Sequence, residues 1–200
     1  MSNGKQQFFN NVWLRYLRKI KNVYCYSGTK LILHKTSLIN AETRLNLSCN
    51  MIKNNGRTTI LRMDENSILN VRGKFAVFYG GDIICFKNSK LSIGSGFVNS
   101  NVKIRCTESI TIGDNVAISH DVTIMDSDAH EILVDNYEKT KPVTIGNHVW
   151  IGSRAMILKG VTIGDNVVIA AGSVVTRDIP DNCLAAGVPA RVIKENINWK

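Results

Sequence analysis

The chain has no apolar run approaching the roughly 20 residues that a membrane-spanning helix needs. It also lacks an uninterrupted apolar stretch near its start ahead of a small-residue cleavage site, so no secretory leader is expected. Cysteines are few and unpaired in pattern. Cys25, Cys49, Cys85, Cys106 and Cys183 are odd in number and contain no CxxC pair, which argues against disulfides or a zinc knuckle and for reduced thiols in a cytoplasmic protein. No cluster of Cys and His has zinc spacing, so no metal site is expected. Acidic residues are in deficit, 16 against 25 Lys plus Arg, for a net charge of +9. Such a balance suits anionic partners, whether nucleic acid, an acidic membrane surface or a phosphorylated ligand, and charge alone does not choose among them. With 44% hydrophobic residues in 200, the chain is not disordered and has the size of one elongated core.

What it does have is a beat of six. Ile145, Ile151, Ile157, Ile163, Ile169 and Val175 fall on every sixth position, and Gly146, Gly152, Gly164 and Ala170 directly follow four of them. The beat extends upstream through Ile112, Ile118 and Ile124. A second apolar or small set stands two residues earlier, at Val116, Val122, Val143, Val149, Ala155, Val161, Val167 and Ser173. Six residues fit neither the 3.6 period of a helix nor the period of 2 of a free strand. They fit a chain that turns a corner every six residues and stacks its coils into a prism, one aliphatic side chain per side pointing at the axis. The small residue after each aliphatic one lets the backbone bend where a Cβ would crowd.

The runs VTIGNHVWIG at 143–152 and VTIGDNV at 161–167 resemble the hexapeptide-repeat acyltransferases of the galactoside and maltose acetyltransferase kind. That resemblance implies an all-β fold, a left-handed parallel β-helix with three sides per coil. It covers about residues 93–197 strongly and the first ninety weakly. A repeat specifies architecture and not chemistry, so a non-catalytic solenoid that scaffolds or binds is the reading from another class.

Residues 1–25 are expected to form an N-terminal segment, with an amphipathic helix at 6–22, and residues 26–200 the repeat domain. Phe9, Val12, Trp13, Tyr16, Leu17 and Ile20 make the apolar stripe, and Arg15, Arg18 and Lys19 lie opposite. Such a helix either caps the first coil, hiding its unpaired edge, or lies in a membrane interface. Residues 30–124 carry a looser repeat whose corners are not assigned before Ile104. At 125–142 the beat stops for a polar stretch flanked by good repeats, which predicts a loop extruded from a corner. After Val175 the chain leaves the beat and returns at 185–194 as a last coil with a short tail.

His130 stands in that extruded stretch beside Asp126, Asp128 and Glu131. An imidazole near carboxylates can be held in one tautomer with its pKa raised, ready to take a proton from a hydroxyl. Taken alone a loop histidine is more often solvated. The resemblance adds that the catalytic histidine of hexapeptide acetyltransferases comes from the extended loop ahead of the TrpIleGly coil, where His130 lies. His34, His120 and His148 are isolated and read as surface residues. The γ-type carbonic anhydrases share the solenoid but use three zinc histidines, two of them five apart, a spacing that is missing here.

The same resemblance implies acetyl-CoA as cosubstrate, lying between neighbouring chains of a homotrimer. Its contacts map onto Ser153, Ala171, Thr176, Arg177, Arg191 and Lys194. Small residues leave room for a pantetheine arm and Arg or Lys suits its phosphates. Asn99 maps near the acceptor hydroxyl, with Asn101 as an alternative, and Asp128 is assigned to the acceptor side. Where the family has an aspartate this chain has Thr107 and Glu108. The expected activity is direct O-acetylation of a sugar hydroxyl, in surface polysaccharide or its precursor, with no nucleic acid involved and peripheral membrane contact as an option. Antibiotic acetyltransferases are the alternative acceptor class, while the large helical domain of serine acetyltransferase has no room here.

Overall fold

The computed structural model describes residues 7–49 and 56–200. Among the described residues, short strands fall into three sheets of nine, seven and six strands, parallel except for the last strand of the first sheet, and as far as Val174–Val175 the chain visits them in rotation. Val116–Ile118 lies on the first face, Thr123–Met125 on the second, Val143–Ile145 on the third, and Trp150–Ile151 returns to the first. The six-residue beat is the inner lining of this prism. On the first face Ile118, Ile151 and Ile169 are neighbours in register, on the second Ile124, Ile157 and Val175, and on the third Ile112, Ile145 and Ile163. All nine are buried, as are Val143, Val149, Ala155, Val161, Val167 and Ser173 of the second set.

Crowding does account for the small residues, but they do not make the bend. A Cβ on Gly152 would stand 2.5 Å from the Ala171 nitrogen, and one on Gly113 2.5 Å from the Gly146 oxygen, so these glycines admit the next coil. The corner itself is turned one or two residues later in the left-handed region. Asn115, His148, Asn166 and Asn182 do this between the third and first faces, and Asn101, Asp121 and Arg154 between the first and second. Asn and Asp reach that region more easily than most residues.

Coil length explains the blurred repeat in the first half. Residues adjacent on the second face are 22 apart at Leu61 and Ile83, 21 at Ile83 and Ile104, 20 at Ile104 and Ile124, and 18 at Ile157 and Val175. Only the last coils have the minimal three sixes. The insertion at 126–142 raises the spacing to 33 at Ile124 and Ile157, one residue shorter at its start than expected because Met125 ends a strand.

At the N-terminal end the helix is shorter than 6–22 and only half regular. Phe8–Val12 is α-helical and Trp13–Leu17 is a wider π turn, with the Arg18 amide bonded to the Trp13 carbonyl. Lys19 and Asn22 then take positive φ. The wide turn rotates the apolar face. Leu14, outside the expected stripe, is buried with Ile20 in the core and Trp13 packs against it, while Phe9, Tyr16 and Leu17 are exposed. Asn11 exchanges hydrogen bonds with the Cys25 backbone, and Arg18 donates to the His34 and Ser37 carbonyls. The helix is therefore a cap on a stack that starts at Val23, where Val23–Cys25 pairs with Leu45–Leu47.

The other end closes differently from the expected last coil. Cys183–Gly187 adds to the first face, and Ala190–Glu195 folds back on it antiparallel. The tail then runs over the neighbouring corner, where Trp199 stacks on His148 at 4.3 Å and donates to its carbonyl. His148 is thus a corner and clasp residue.

Candidate active site

The insertion leaves the prism at the corner between the second and third faces and pairs its own two ends. Asp128 N donates to Lys139 O, Lys141 N to Asp126 O, and Ser127 bridges Thr140. Its first residue is its anchor. Asp126 is fully buried, and its two carboxylate oxygens accept the Thr107 and Glu108 amides of the coil below at 2.7 and 2.8 Å. Two charge-assisted bonds are what make a lone carboxylate tolerable at such a depth.

Asp128 is the second anchor. Its carboxylate accepts the Tyr137 hydroxyl and the Lys159 ammonium, each at 2.5 Å, and Lys159 lies 4.3 Å from the centre of the Tyr137 ring. The Lys159 hydrogen bond first, and then that of Tyr137, hold the Asp128 carboxyl below its usual range, and the same contacts raise Lys159 and Tyr137.

His130 stands beyond this stem, exposed, its amide bonded to Asp128 O and its carbonyl accepting Tyr137 OH. Two of the three carboxylates beside it in sequence are therefore engaged elsewhere. Asp126 holds backbone, Asp128 holds Lys159 and Tyr137, and among the described residues none hydrogen-bonds the His130 imidazole. The stem fixes the position of His130 in the chain and leaves its ring open to a ligand. Below the stem lies a cleft of about 750 Å³ walled by Phe86, Met125, Thr107, Arg105, Lys87 and Asp128, among others. Thr107 thus lies on the cleft and has its amide on Asp126.

The other expected residues divide between corners. Ser153 and Ala171 line one open groove of about 540 Å³ between the first and second faces, together with Arg154, Gly172, Asp121 and His120. Asn99 turns the same corner two coils below Ser153, its side chain capping the Ser100 amide, and Asn101 bonds Asp121. Among the described residues the Ser153 and Ala171 amides donate to no partner. Arg191 lies just past the hairpin turn that tops this corner, whereas Lys194 pairs with Leu184 further along the first face. Thr176 and Arg177 follow Val174–Val175, at the corner between second and third faces that also bears the loop. No described acid pairs with Arg177, Arg191 or Lys194.

His120 is the residue that sequence reading missed. Its Nδ1 lies 2.6 Å from the Ser100 hydroxyl and it lines the groove with Ser153. The available signal was its position: His120 precedes Asp121 at a corner as Ser153 precedes Arg154, and those pairs stack when the 33-residue spacing is applied. Among the described residues no group of His, Cys, Asp and Glu could hold a metal ion.

Comparisons with known proteins agree with this architecture. The family of bacterial transferase hexapeptide repeats (six repeats) matches residues 142–177. The chain is 50% identical over 111 residues to the galactoside O-acetyltransferase of Escherichia coli K12, covering 54% of this chain and 55% of that protein. It is 38% identical over 129 residues to the polysialic acid O-acetyltransferase of Escherichia coli O1:K1, covering 60% and 41%. The chain thus spans about half the length of the curated relatives it matches. Among solved structures, a polysialic-acid-specific acetyltransferase superimposes with a TM-score of 0.65 at 25% identity over 86% of this chain and 89% of that one. The stack is a left-handed parallel β-helix.

Proposed function

We propose that the chain is a hexapeptide-repeat, acetyl-CoA-dependent O-acetyltransferase acting on a sugar hydroxyl. One observation carries the reading: the loop is built on a buried carboxylate and pinned by an ion pair, its residues Ser127, Asp128 and Ala129 wall a cleft, and His130, the next residue, has an imidazole with no hydrogen-bond partner among the described residues. A scaffold has no need of that arrangement. His130 takes the proton of the acceptor hydroxyl as its oxygen attacks the thioester carbonyl. The oxyanion of the tetrahedral intermediate accepts a backbone N–H, for which the free Ser153 amide is the candidate. Collapse breaks the C–S bond, and the leaving thiolate takes the proton from the imidazolium. Transfer is direct. Burial pushes the Cys25 and Cys106 thiols up to about 12 and Cys49 to about 11, so none of them offers a thiolate nucleophile.

The donor would lie along the Ser153 and Ala171 groove, its phosphates on Arg177, Arg191 and Lys194, which are free of acids. Ser153 and Ala171 share one corner of the prism and His130, Thr176 and Arg177 another, so a complete site joins one corner of a chain to the other corner of its neighbour. A homotrimer does this with closed symmetry. Two surfaces favour it. The loop tip leaves Ile132, Leu133 and Val134 exposed, Leu133 at 92%. Facing outward on the first face are Phe97, Ala117, Trp150, Val168 and Leu184, while the third face presents Asn40, Asn70, Ser92, Thr111, Thr144 and Thr162. An apolar face beside a polar one is what an interface requires. Light scattering should give three times the chain mass, and a monomer at micromolar concentration would remove the shared site.

The acceptor would occupy the cleft under the loop, where Phe86 and Met125 offer apolar contact to a sugar ring and Thr107, Arg105 and Lys87 offer polar contact. Asn99 and Asp128 would act on that side, Asp128 through the loop it anchors. The enzyme would work in the cytoplasm, on surface polysaccharide or its precursor, at the inner face of the membrane. Thiol release from acetyl-CoA in a screen of sugars, with the product identified by mass, tests the activity. Failure of acetyl-CoA to raise the melting temperature would argue for the scaffold.

A further inference from the structure

The first 41 residues contain seven Lys or Arg and no Asp or Glu, the first acid being Glu42. Six of the seven, all but Lys5, lie among the described residues, at one end of the stack. Among the described residues no ion pair involves a side chain before Glu42. The capping helix at this end has two apolar sides. Leu14, Ile20 and Trp13 close the first coil, so the cap is complete without the others. Phe8, Phe9, Tyr16 and Leu17 point outward, between 71% and 86% exposed. Leu38, 55% exposed, lies with Leu17 along a shallow depression that also carries Arg18, Lys19 and Lys35. Arg15 and Lys21 are exposed as well.

We propose that this end of the solenoid docks on an anionic lipid bilayer. Phe8, Phe9, Tyr16 and Leu17 enter the interfacial layer, and Arg15, Lys19, Lys21 and Lys35 meet the headgroup charge. The inference gives a physical basis to the peripheral location proposed above and does not rest on the acyl-transfer chemistry. Two other occupants fit the surface less well. A soluble polyanion would satisfy the cations and leave four large apolar side chains in water. A second copy docked end to end would bury those side chains but bring two sets of uncompensated cations together. A bilayer satisfies both at once.

The test is sedimentation of the full chain with vesicles of phosphatidylcholine alone or with phosphatidylglycerol added. The expected result is partitioning onto the mixed vesicles only, weakened by salt. Arg15→Gln and Lys21→Gln should each lower the partition coefficient about fivefold, and Phe8→Ser with Phe9→Ser by about tenfold or more. All these side chains are exposed, so melting temperature and acetyl transfer to a soluble sugar should stay at the wild-type level. Acetyl transfer without vesicle binding would overturn the docking and leave the enzyme reading standing. Vesicle binding without transfer would do the reverse. Equal binding to neutral and anionic vesicles would overturn the proposal. So would binding to polyglutamate that the Phe variant does not weaken, or self-association that it abolishes.

Discussion

Asp126→Asn isolates the contribution of one buried carboxylate to the position of the loop. The two Asp126 oxygens accept two backbone amides, at 2.7 and 2.8 Å, in a site with no solvent exposure. Asparagine keeps one carbonyl oxygen and turns an NH₂ toward the second amide, so one bond weakens, the other is lost, and a backbone donor is buried unpaired. Charge-assisted hydrogen bonds contribute about 1.5–3 kcal/mol and an unpaired buried donor costs about 1–3 kcal/mol, which gives an expected loss of about 2–4 kcal/mol. For a chain of this length each kcal/mol lowers the melting temperature by roughly 2–4 °C, so the fall should be roughly 4–16 °C. Protein concentration must be held fixed, because the proposed trimer would melt in a concentration-dependent way. If the stem opens locally instead, hydrogen exchange at the Thr107 and Glu108 amides reads the loss directly. Turnover should drop in either case, since His130 sits four residues beyond the anchor. A variant with wild-type melting temperature, unchanged protection at both amides and full turnover would refute the reasoning.

His130→Ala should lower turnover by about 10²- to 10⁴-fold with acetyl-CoA affinity and melting temperature unchanged; wild-type turnover would remove His130 from the mechanism. The Asp128 carboxyl is held low by Lys159 and Tyr137. Its stabilisation is therefore complete above the unfolded pKa of about 3.9 and is lost as pH falls through the lower folded value. Protease resistance of the loop should accordingly stay constant from about pH 8 to 5, and release of the loop across that window would contradict the anchor. Gly152→Ala should destabilise by about 1–3 kcal/mol, because its Cβ would meet the Ala171 nitrogen of the next coil, and an unchanged melting temperature would show that the coils can part without penalty.

The readable part of this protein was its periodic part. Ile145 to Val175 repeat at six because each side of the prism asks the same thing of its own six residues, so the local pattern carries the architecture. The insertion was legible for the opposite reason, as the place where that demand stops, and His130 was legible as its one imidazole. The N-terminal stripe was legible as apolar but not in its direction. A π turn at Trp13–Leu17 moved Leu14 inward and left Phe9, Tyr16 and Leu17 outside. Periodicity at 3.6 assumes a regular helix and cannot anticipate a turn of a different width.

By itself, then, the sequence determined the coil, the corner that gives way, and the chemical types present. Tertiary structure decided which corner each residue occupies and what it meets there. Coil length is 30 residues between Leu31 and Leu61, shortens from 22 to 18 along the later coils and jumps to 33 at the insertion, and a change of a few residues carries every later contact to a new partner. That is why Ser153 and Ala171 share a groove with His120 but not with Arg177. It is also why Asp126, four residues before the candidate base, spends its charge on the backbone of Thr107 and Glu108. Six-residue preferences act within one side of the prism, whereas the site is made between coils, where only the accumulated register says which side chains meet.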